Sequence, residues 1–461
     1  MRYLTVDFGS TYTKLTAIDG DKREVVGTAS AFTTIDTDVM DGFNCAQKKL
    51  EDQIGIFRYD QLLCCSSAAG GLKMVALGLV PDLTAKAAKT AAASAGAKVM
   101  KTYSFEISKA EQQEIYEINP DLVLLCGGTD GGNKQVIITN ARKLCEIKRP
   151  FSTIIAGNKS AMDEIEEIFA ASGKDYVITD NVMPEFNKLC IDPAKECIKN
   201  LFITKIIDAK GLSRVQEMTS YKIIPTPLAV MNGCELYSKG TKTQTGHGDV
   251  MAIDIGGATT DVYSMSWGNP TIEGTMIKGI PEPYSKRTVE GDLGMRYSLK
   301  HVLDAVDTSG IALDLGVSED DISTRVNICT AQPELLAERG SIEEKIEERL
   351  AREAVSIATQ RHCGTLISVY TPMGQIYTLT GKDLMEIPGV IGIGGVLINS
   401  PNPAEILQGA TYNLQTPECA KPRKPRFFLD KRYIFASMGL LCKVDPDLAL
   451  HILNTEITAI E

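Results

Sequence analysis

The sequence predicts an α/β protein of two duplicated lobes, and two stretches carry that prediction. Met251-Ala-Ile-Asp-Ile-Gly-Gly-Ala-Thr-Thr-Asp-Val262 reads as a short buried strand, apolar but for Asp254, that turns at Gly256 and Gly257 and resumes as a second strand. Tyr3-Leu-Thr-Val-Asp-Phe-Gly-Ser-Thr-Tyr-Thr-Lys14 repeats the layout of strand, acid, glycine, hydroxyl cluster and strand, closing on Lys14 where the later copy has Asp261. A chain of 461 residues is also too long for one core. The repeat implies two related halves facing each other across a cleft, 1–237 and 249–461, joined by a polar, Gly/Thr/Lys-rich linker at 238–248.

The chemistry of such a turn follows from its residues. Glycine permits positive φ and close approach of the backbone to a ligand. Successive N–H groups and the hydroxyls of Thr259 and Thr260 then face an anion, the usual device for holding phosphate. Asp254 is aimed at a metal on those phosphates through water, because Mg²⁺ dehydrates reluctantly.

Composition excludes several other classes. Apolar residues make up 44% and charged residues 23%, an ordinary globular balance. Net charge is −11, which argues against nucleic acid as the main partner. No apolar run approaches the length of a membrane span. The chain enters a strand directly after Met1-Arg2, which leaves no room for a signal peptide and points to the cytoplasm. The twelve cysteines form no C-x-x-C pair, and His362-Cys363 are the only His-Cys neighbours. Cys64, Cys126, Cys145 and Cys190 read as small core residues in a reducing compartment.

The remaining elements fall in order. Residues 23–31 complete a meander, and 34–60 read as polar and irregular. Residues 62–71 form a buried strand running into small residues, 81–97 an Ala-rich helix and 110–118 a short acidic one. The apolar run 121–126 lacks alternation and reads as a parallel strand opening into Gly127-Gly-Thr-Asp-Gly-Gly-Asn133, equally a plain loop and a ligand contact. A strand at 152–156 and helices at 160–171, with Ile165 and Ile168 inward, and at 192–202 follow. A strand enters Pro225, and 228–236 is helical, with Asn232 and Gly233 permitting close packing. Strands continue over 271–280, and 289–296 leads into a helix. Ser341 and Glu344 make a capping box for a helix with Ile342, Ile346 and Leu350 inward. Strand 390–393, with Gly394-Gly395 before a helix, echoes Gly127-Gly128. The tail predicts a strand at 432–436 and a helix at 446–453.

Four signals stand in one order: Asp7-Phe-Gly-Ser-Thr-Tyr-Thr-Lys14, Pro225-Thr-Pro-Leu-Ala-Val-Met-Asn-Gly233, Asp254-Ile-Gly-Gly-Ala-Thr-Thr-Asp261 and Gly392-Ile-Gly-Gly-Val-Leu397. This order resembles the actin/hexokinase/heat-shock-70 ATPase superfamily, with two actin-like (ribonuclease H-like) lobes. Val289-Glu-Gly-Asp-Leu-Gly-Met-Arg296, the 127–133 loop and Tyr433-Ile-Phe-Ala-Ser-Met-Gly-Leu-Leu441 narrow the resemblance to the MutL/GlmL-type glutamate mutase activators.

That resemblance implies a slow ATPase acting on an adenosylcobalamin-dependent mutase as a chaperone-like reactivator. It implies ATP and Mg²⁺ as cofactors. Asp7 and Asp254 would hold hydrated Mg²⁺, and Lys14 the β-phosphate, with Gly9, Ser10 and Thr11 as donors. Gly256, Gly257, Ala258 and Thr259 would cradle the outer phosphates, and Gly394 and Gly395 admit adenosine. Heat-shock-70 proteins carry a glutamate before the connecting Pro-Thr; Ile224 stands here, so water activation is poor or falls to Asp261 or Asp7. A small-molecule kinase on the same fold is the alternative.

Overall fold

The computed structural model describes residues 1–9, 11–34, 38–67, 73–209, 212–372 and 374–461. The chain divides into two compact units, Met1–Ala229 with Gly279–Pro281, and Val230–Lys278 with Glu282–Glu461, so the boundary falls inside the helix Thr226–Lys239.

In the first unit, Arg2–Phe8, Tyr12–Asp19 and Glu24–Phe32 form the antiparallel meander expected from alternating apolar residues and the turn glycine. Gln61–Ser66 then lies parallel to Arg2–Phe8, and Ile224–Pro225 parallel to Gln61–Ser66. Within 34–60 the expectation of irregular chain is corrected at one stretch. Val39–Ile54 is a helix, capped by the Asp38 side chain on Met40 N–H, with Val39, Phe43, Ala46 and Leu50 buried. Those four positions keep helical spacing, but the polar residues between them masked the face.

The stretch between Gln61–Ser66 and Ile224–Pro225 builds a second, wholly parallel sheet. Its order is Lys98–Ser104, Lys73–Gly78, Leu122–Leu125, Ser152–Ile155, Tyr176–Ile178. Leu122–Leu125 is central and buried, as its unbroken apolar run requires. Helices Lys86–Ser94, Lys109–Ile118, Gln135–Glu146 and Met162–Ser172 connect the strands. The predicted small-residue run past Ser67 falls at 68–72, and Gly211 likewise lies outside the described residues. The 127–133 loop is tied inward: buried Asn158 accepts from Gly131 N–H and donates to Gly132 and Asn133 carbonyls, and Asn181 donates to Gly128 O and Asp130.

The second unit repeats the first one's strand order. Val250–Ile255, Thr260–Met265 and Ser285–Glu290 form an antiparallel meander. Gly389–Ile393 runs parallel to Val250–Ile255, Arg426–Asp430 parallel to Gly389–Ile393, and Ile457–Ile460 closes the edge. The third meander strand is Ser285–Glu290; of 271–280 only Met276–Lys278 is a strand, and it joins a separate small sheet with Gly374–Thr380 and Thr365–Thr371. Strand 432–436 is also corrected: the strand is Arg426–Asp430, and Phe435–Leu441 is a helix whose first N–H groups bond to Asp430.

The long helix Ile342–His362 packs against this sheet through Ile346, Leu350, Ala354, Val355 and Ala358. Ile342, the first residue of the helix, is exposed instead, and Glu344 accepts from Gly340 N–H while Ser341 Oγ accepts from Glu344 N–H. Residues 238–248 are anchored, Thr241, Thr243 and Gln244 all donating to Asp447. Among the described residues no helix is long and apolar enough to cross a membrane.

Gly233 makes the close packing read from sequence. A Cβ there would lie 2.5 Å from the Phe435 carbonyl oxygen. Gly233→Val is therefore expected to cost about 1–3 kcal/mol of stability in urea unfolding, from overpacking.

Candidate functional site

Both first strands of the two meanders end in the same way. The aspartate sits one turn before the bend, and the glycine two residues on closes it by donating to a carbonyl three residues ahead. In the first unit Gly9 N–H bonds to Tyr12 O at 3.0 Å; in the second Gly256 N–H bonds to Thr259 O at 3.0 Å. A Cβ on Gly9 would lie 2.5 Å from Tyr12 O, so the tight bend requires glycine there.

Asp7 is 4% exposed at the end of Arg2–Phe8. Its Oδ1 accepts from the Thr226 hydroxyl at 2.5 Å and the Cys65 thiol at 3.5 Å, and its Oδ2 lies 3.4 Å from Lys14 Nζ. Lys14 is its direct cross-strand partner, which is why the two meet. Thr11 O accepts from Thr33 N–H, and Thr33 Oγ1 donates to Gly9 O, bracing the bend. Ser10 lies outside the described residues. Sequence reasoning missed Thr226; the Pro-Thr pair after a strand was the available signal.

The second turn has a marked polarity. Gly256 O accepts from Met295 N–H at 3.0 Å, and Gly257 O from Arg296 and Tyr297 N–H at 2.8 Å each. Ala258 O accepts from Ser298 Oγ at 2.9 Å. Gly294 passes so close that a Cβ would lie 2.2 Å from the Ala258 carbonyl carbon. Every carbonyl of Gly256, Gly257 and Ala258 thus faces the 294–298 segment. The N–H groups of Gly257, Ala258 and Thr259 have no protein acceptor among the described residues, and the turn is half-exposed. Successive N–H groups without a protein acceptor are the kind of donor row that suits an anion.

The clamp itself is anchored. Arg296 Nε donates to Pro333 O at 3.0 Å, and its Nη2 pairs with Glu347 Oε2 at 2.9 Å on the long helix. Arg325 pairs with the other Glu347 oxygen. Asp261 faces away from solvent, 8% exposed, held by Arg287 at 2.6 and 2.8 Å and by Thr259 Oγ1 at 3.2 Å. The charge of Asp261 raises the Arg287 pKa against the opposing effect of burial.

Asp254, at the end of Val250–Ile255, stands directly across from Asp261 in register, and its Oδ2 accepts from Tyr433 Oη at 3.1 Å. Gly394, at φ +105°, lies so near that a Cβ would sit 2.7 Å from Asp254 Oδ1 and 2.4 Å from Ile255 O. Gly395 follows and opens the short helix Gly395–Asn399. Tyr433 has φ +54°, an unusual conformation for an aromatic residue. Asp430 stabilises that turn by accepting from Ile434 and Phe435 N–H at 2.9 Å each.

The fold is the actin-like one, a meander followed by two parallel strands, present in each unit. The chain belongs to the MutL family: the family model described as MutL protein matches residues 3–457. It is 44% identical over 456 residues to Protein MutL of Clostridium tetanomorphum, covering 98% of each chain. Among solved structures it is similar to a ligand-bound xylulose kinase from Lactobacillus acidophilus, at 10% identity and TM-score 0.36, covering 100% of this chain and 93% of that one. A glycerol dehydratase reactivase matches at 8% identity and TM-score 0.36, covering 96% and 99%.

Burial raises the Asp430 pKa to about 6, partly offset by its three backbone donors. The unfolded value is about 3.9, so the folded chain holds this proton more tightly. Its stabilising contribution is present below about pH 4 and lost as pH rises through about 6. Asp430→Asn removes this dependence. From about pH 4 to 6 the wild type should lose up to about 3 kcal/mol in urea unfolding, accumulating as pH rises, and the variant should not.

Proposed function

We propose that this chain binds Mg-ATP, hydrolyses it slowly, and acts as a chaperone-like activator of an adenosylcobalamin-dependent mutase such as glutamate mutase. The observation that carries the nucleotide reading is the outward N–H row of Gly257, Ala258 and Thr259, with its carbonyl side fully occupied by 294–298. MutL family membership supports the mutase as partner.

The second turn supports this reading: Gly257, Ala258 and Thr259 would supply backbone donors for phosphate oxygens, with Gly256 making the bend, and Lys14 would supply a cation for the β-phosphate. Asp7 and Asp254 would take Mg²⁺ through water, a carboxylate role that suits a hard cation. The cradle beside Asp254 is one that a side chain on Gly394 would fill, and Gly394 with Gly395 leaves backbone open to adenosine. Bound Mg²⁺ would neutralise charge developing on the phosphates.

Asp261 is poorly placed to take a proton from water, because Arg287 and Thr259 already occupy its oxygens. We assign it to bracing the turn. Ile224 offers no carboxylate. That leaves Asp7, itself engaged by Thr226, Cys65 and Lys14, and slow turnover follows. A slow cycle suits a partner-modulating switch, in which nucleotide biases one of two conformations.

Titration calorimetry tests the first part. ATP binding is expected with Mg²⁺, and Asp254→Asn should weaken it at least about tenfold, or ~1.4 kcal/mol, with unchanged circular dichroism. No heat of binding in the wild type would overturn the nucleotide reading. For the partner, immobilised protein should capture an adenosylcobalamin-dependent mutase from native extract in amounts that differ between ATP and ADP. Equal or absent capture with nucleotide binding intact would overturn the activator reading alone.

A further inference from the structure

The second unit encloses a lysine and a histidine in one hydrogen-bonded row. Lys382 and His362 are both 0% exposed. Lys382 Nζ lies 2.7 Å from Tyr284 O, 3.3 Å from Ser264 O and 3.3 Å from Ser264 Oγ. Ser264 Oγ lies 2.8 Å from His362 Nε2, and His362 Nδ1 lies 2.9 Å from Thr288 Oγ1. The four side chains come from four segments. Ser264 is on Thr260–Met265, Thr288 on Ser285–Glu290, His362 ends the long helix, and Lys382 follows Gly374–Thr380 of the small sheet. Gly268, at φ +62°, closes over the lysine: a Cβ there would lie 2.5 Å from the Lys382 Cβ. Thr288 is half-buried, so the row runs from the interior toward the surface.

The charged groups around the row leave Lys382 without a bonded anion. Among the described residues Lys382 makes no ion pair, and its three acceptors are neutral. Lys286 Nζ donates to His362 O at 2.8 Å and pairs with Glu282 at 3.5 Å. Asp249 accepts from Ser266 Oγ, and Asp383 from Thr271 and Met385. The Tyr284 hydroxyl meets Ser238 Oγ, with Lys239 over its ring. Arg287 and Asp261 pair with each other on the opposite face of the two strands. A buried ammonium with no bonded anion favours its neutral form. Burial accordingly lowers the Lys382 pKa to about 7, helped by Lys286 and opposed by Glu282 and Asp249. Burial, then Lys286 and Lys382, hold His362 well below the usual histidine range, so the ring stays neutral and carries one N–H.

Donor and acceptor accounting allows the row two states. Tyr284 O and Ser264 O only accept, so two Nζ hydrogens go to them. An ammonium has a third hydrogen for Ser264 Oγ. The Ser264 hydroxyl then donates to His362 Nε2, and Nδ1–H donates to Thr288 Oγ1. A neutral amine has a lone pair instead. The Ser264 hydroxyl then donates to Nζ, Nε2–H donates to Ser264 Oγ, and the Thr288 hydroxyl donates to Nδ1.

We propose that this row is a pH-sensitive switch, in which a proton taken up by Lys382 reverses its three side-chain hydrogen bonds and moves the His362 ring proton from Nε2 to Nδ1. The balance is one proton gained. Ser264 passes its hydroxyl proton to Nζ and takes that of Nε2, while Thr288 passes its own to Nδ1 and takes one from solvent. No bond between heavy atoms changes. Two meander strands, the end of the long helix and the segment leaving the small sheet each supply one member, so all four register the state.

The test uses the full-length chain with His247, His301 and His451 replaced by Gln, which leaves His362 as its one imidazole. Ring ¹⁵N spectra are recorded over about two pH units on either side of 7, a span that covers an unperturbed histidine as well. The Nε2–H tautomer is expected above the midpoint and the Nδ1–H tautomer below it, with no charge gained by the ring. Lysine ¹³Cε spectra should show one side chain with a midpoint of about 7, roughly three units below the other lysines. The two midpoints should coincide. Ser264→Ala interrupts the row and should abolish the tautomer change, with circular dichroism unchanged. A single His362 tautomer across the range overturns the proposal, as does an imidazolium forming on acidification. So does the absence of any lysine midpoint below about 9, or a tautomer change that persists in Ser264→Ala.

Discussion

A single backbone hydrogen bond, from the N–H of a glycine to the carbonyl three residues on, sets the geometry of both candidate turns. It draws Gly9 to Tyr12 and Gly256 to Thr259 at the same distance, and so brings each preceding aspartate to the mouth of its hairpin. Once the turn is that tight, its peptide groups cannot satisfy one another. In the second unit the carbonyls are taken up by 294–298, which leaves the N–H groups outward. Much of the surrounding structure serves this asymmetry: Gly294 allows the clamp to approach, Arg296 fastens it to Glu347, and Arg287 holds Asp261 beneath it.

The parts legible in sequence were those governed by local rules. Strand, glycine and strand at 3–14 and 251–262 announce themselves by apolar run and turn residue, and the unbroken run at 121–126 does the same for a central parallel strand. Parts that failed did so for physical reasons. Val39–Ile54 hides a narrow apolar stripe among polar residues, and Ser285–Glu290 is a strand of Ser, Lys, Arg and Glu whose pairing, not composition, holds it. Residues 432–436 read as a strand, yet Phe435–Leu441 is a helix, with Asp430 accepting from Ile434 and Phe435 N–H at its start.

Side-chain partners separated by long stretches of chain were the least legible. Thr226 and Asp7 are 219 positions apart, yet meet because Arg2–Phe8 and Ile224–Pro225 flank Gln61–Ser66, both parallel to it and ending at its level. Asp261 was visible as an acid after the turn, but its commitment to Arg287 depends on the third meander strand, which composition concealed. The second unit buries Arg287, Lys382, Lys421 and Asp430 almost completely. Such groups are weak contributors to stability and demand particular partners. Nothing in a linear string distinguishes a lysine destined for the interior from one on the surface.

The insertion in the first unit has a consequence for how the chain is made. Gln61–Ser66 and Ile224–Pro225 are neighbours in one sheet, but the whole five-stranded parallel sheet lies between them in the chain. A nascent chain emerges from its amino end at roughly 5–20 residues per second, so the first sheet keeps a bare edge for many seconds while the insertion is translated. The inserted strands occupy one contiguous stretch, 73–178, and can pair with each other before the edge strand exists. Synthesis therefore lets the inner module assemble before the outer sheet can be completed. The short closing strand acts as a late latch on a lobe whose opening residues were translated long before it.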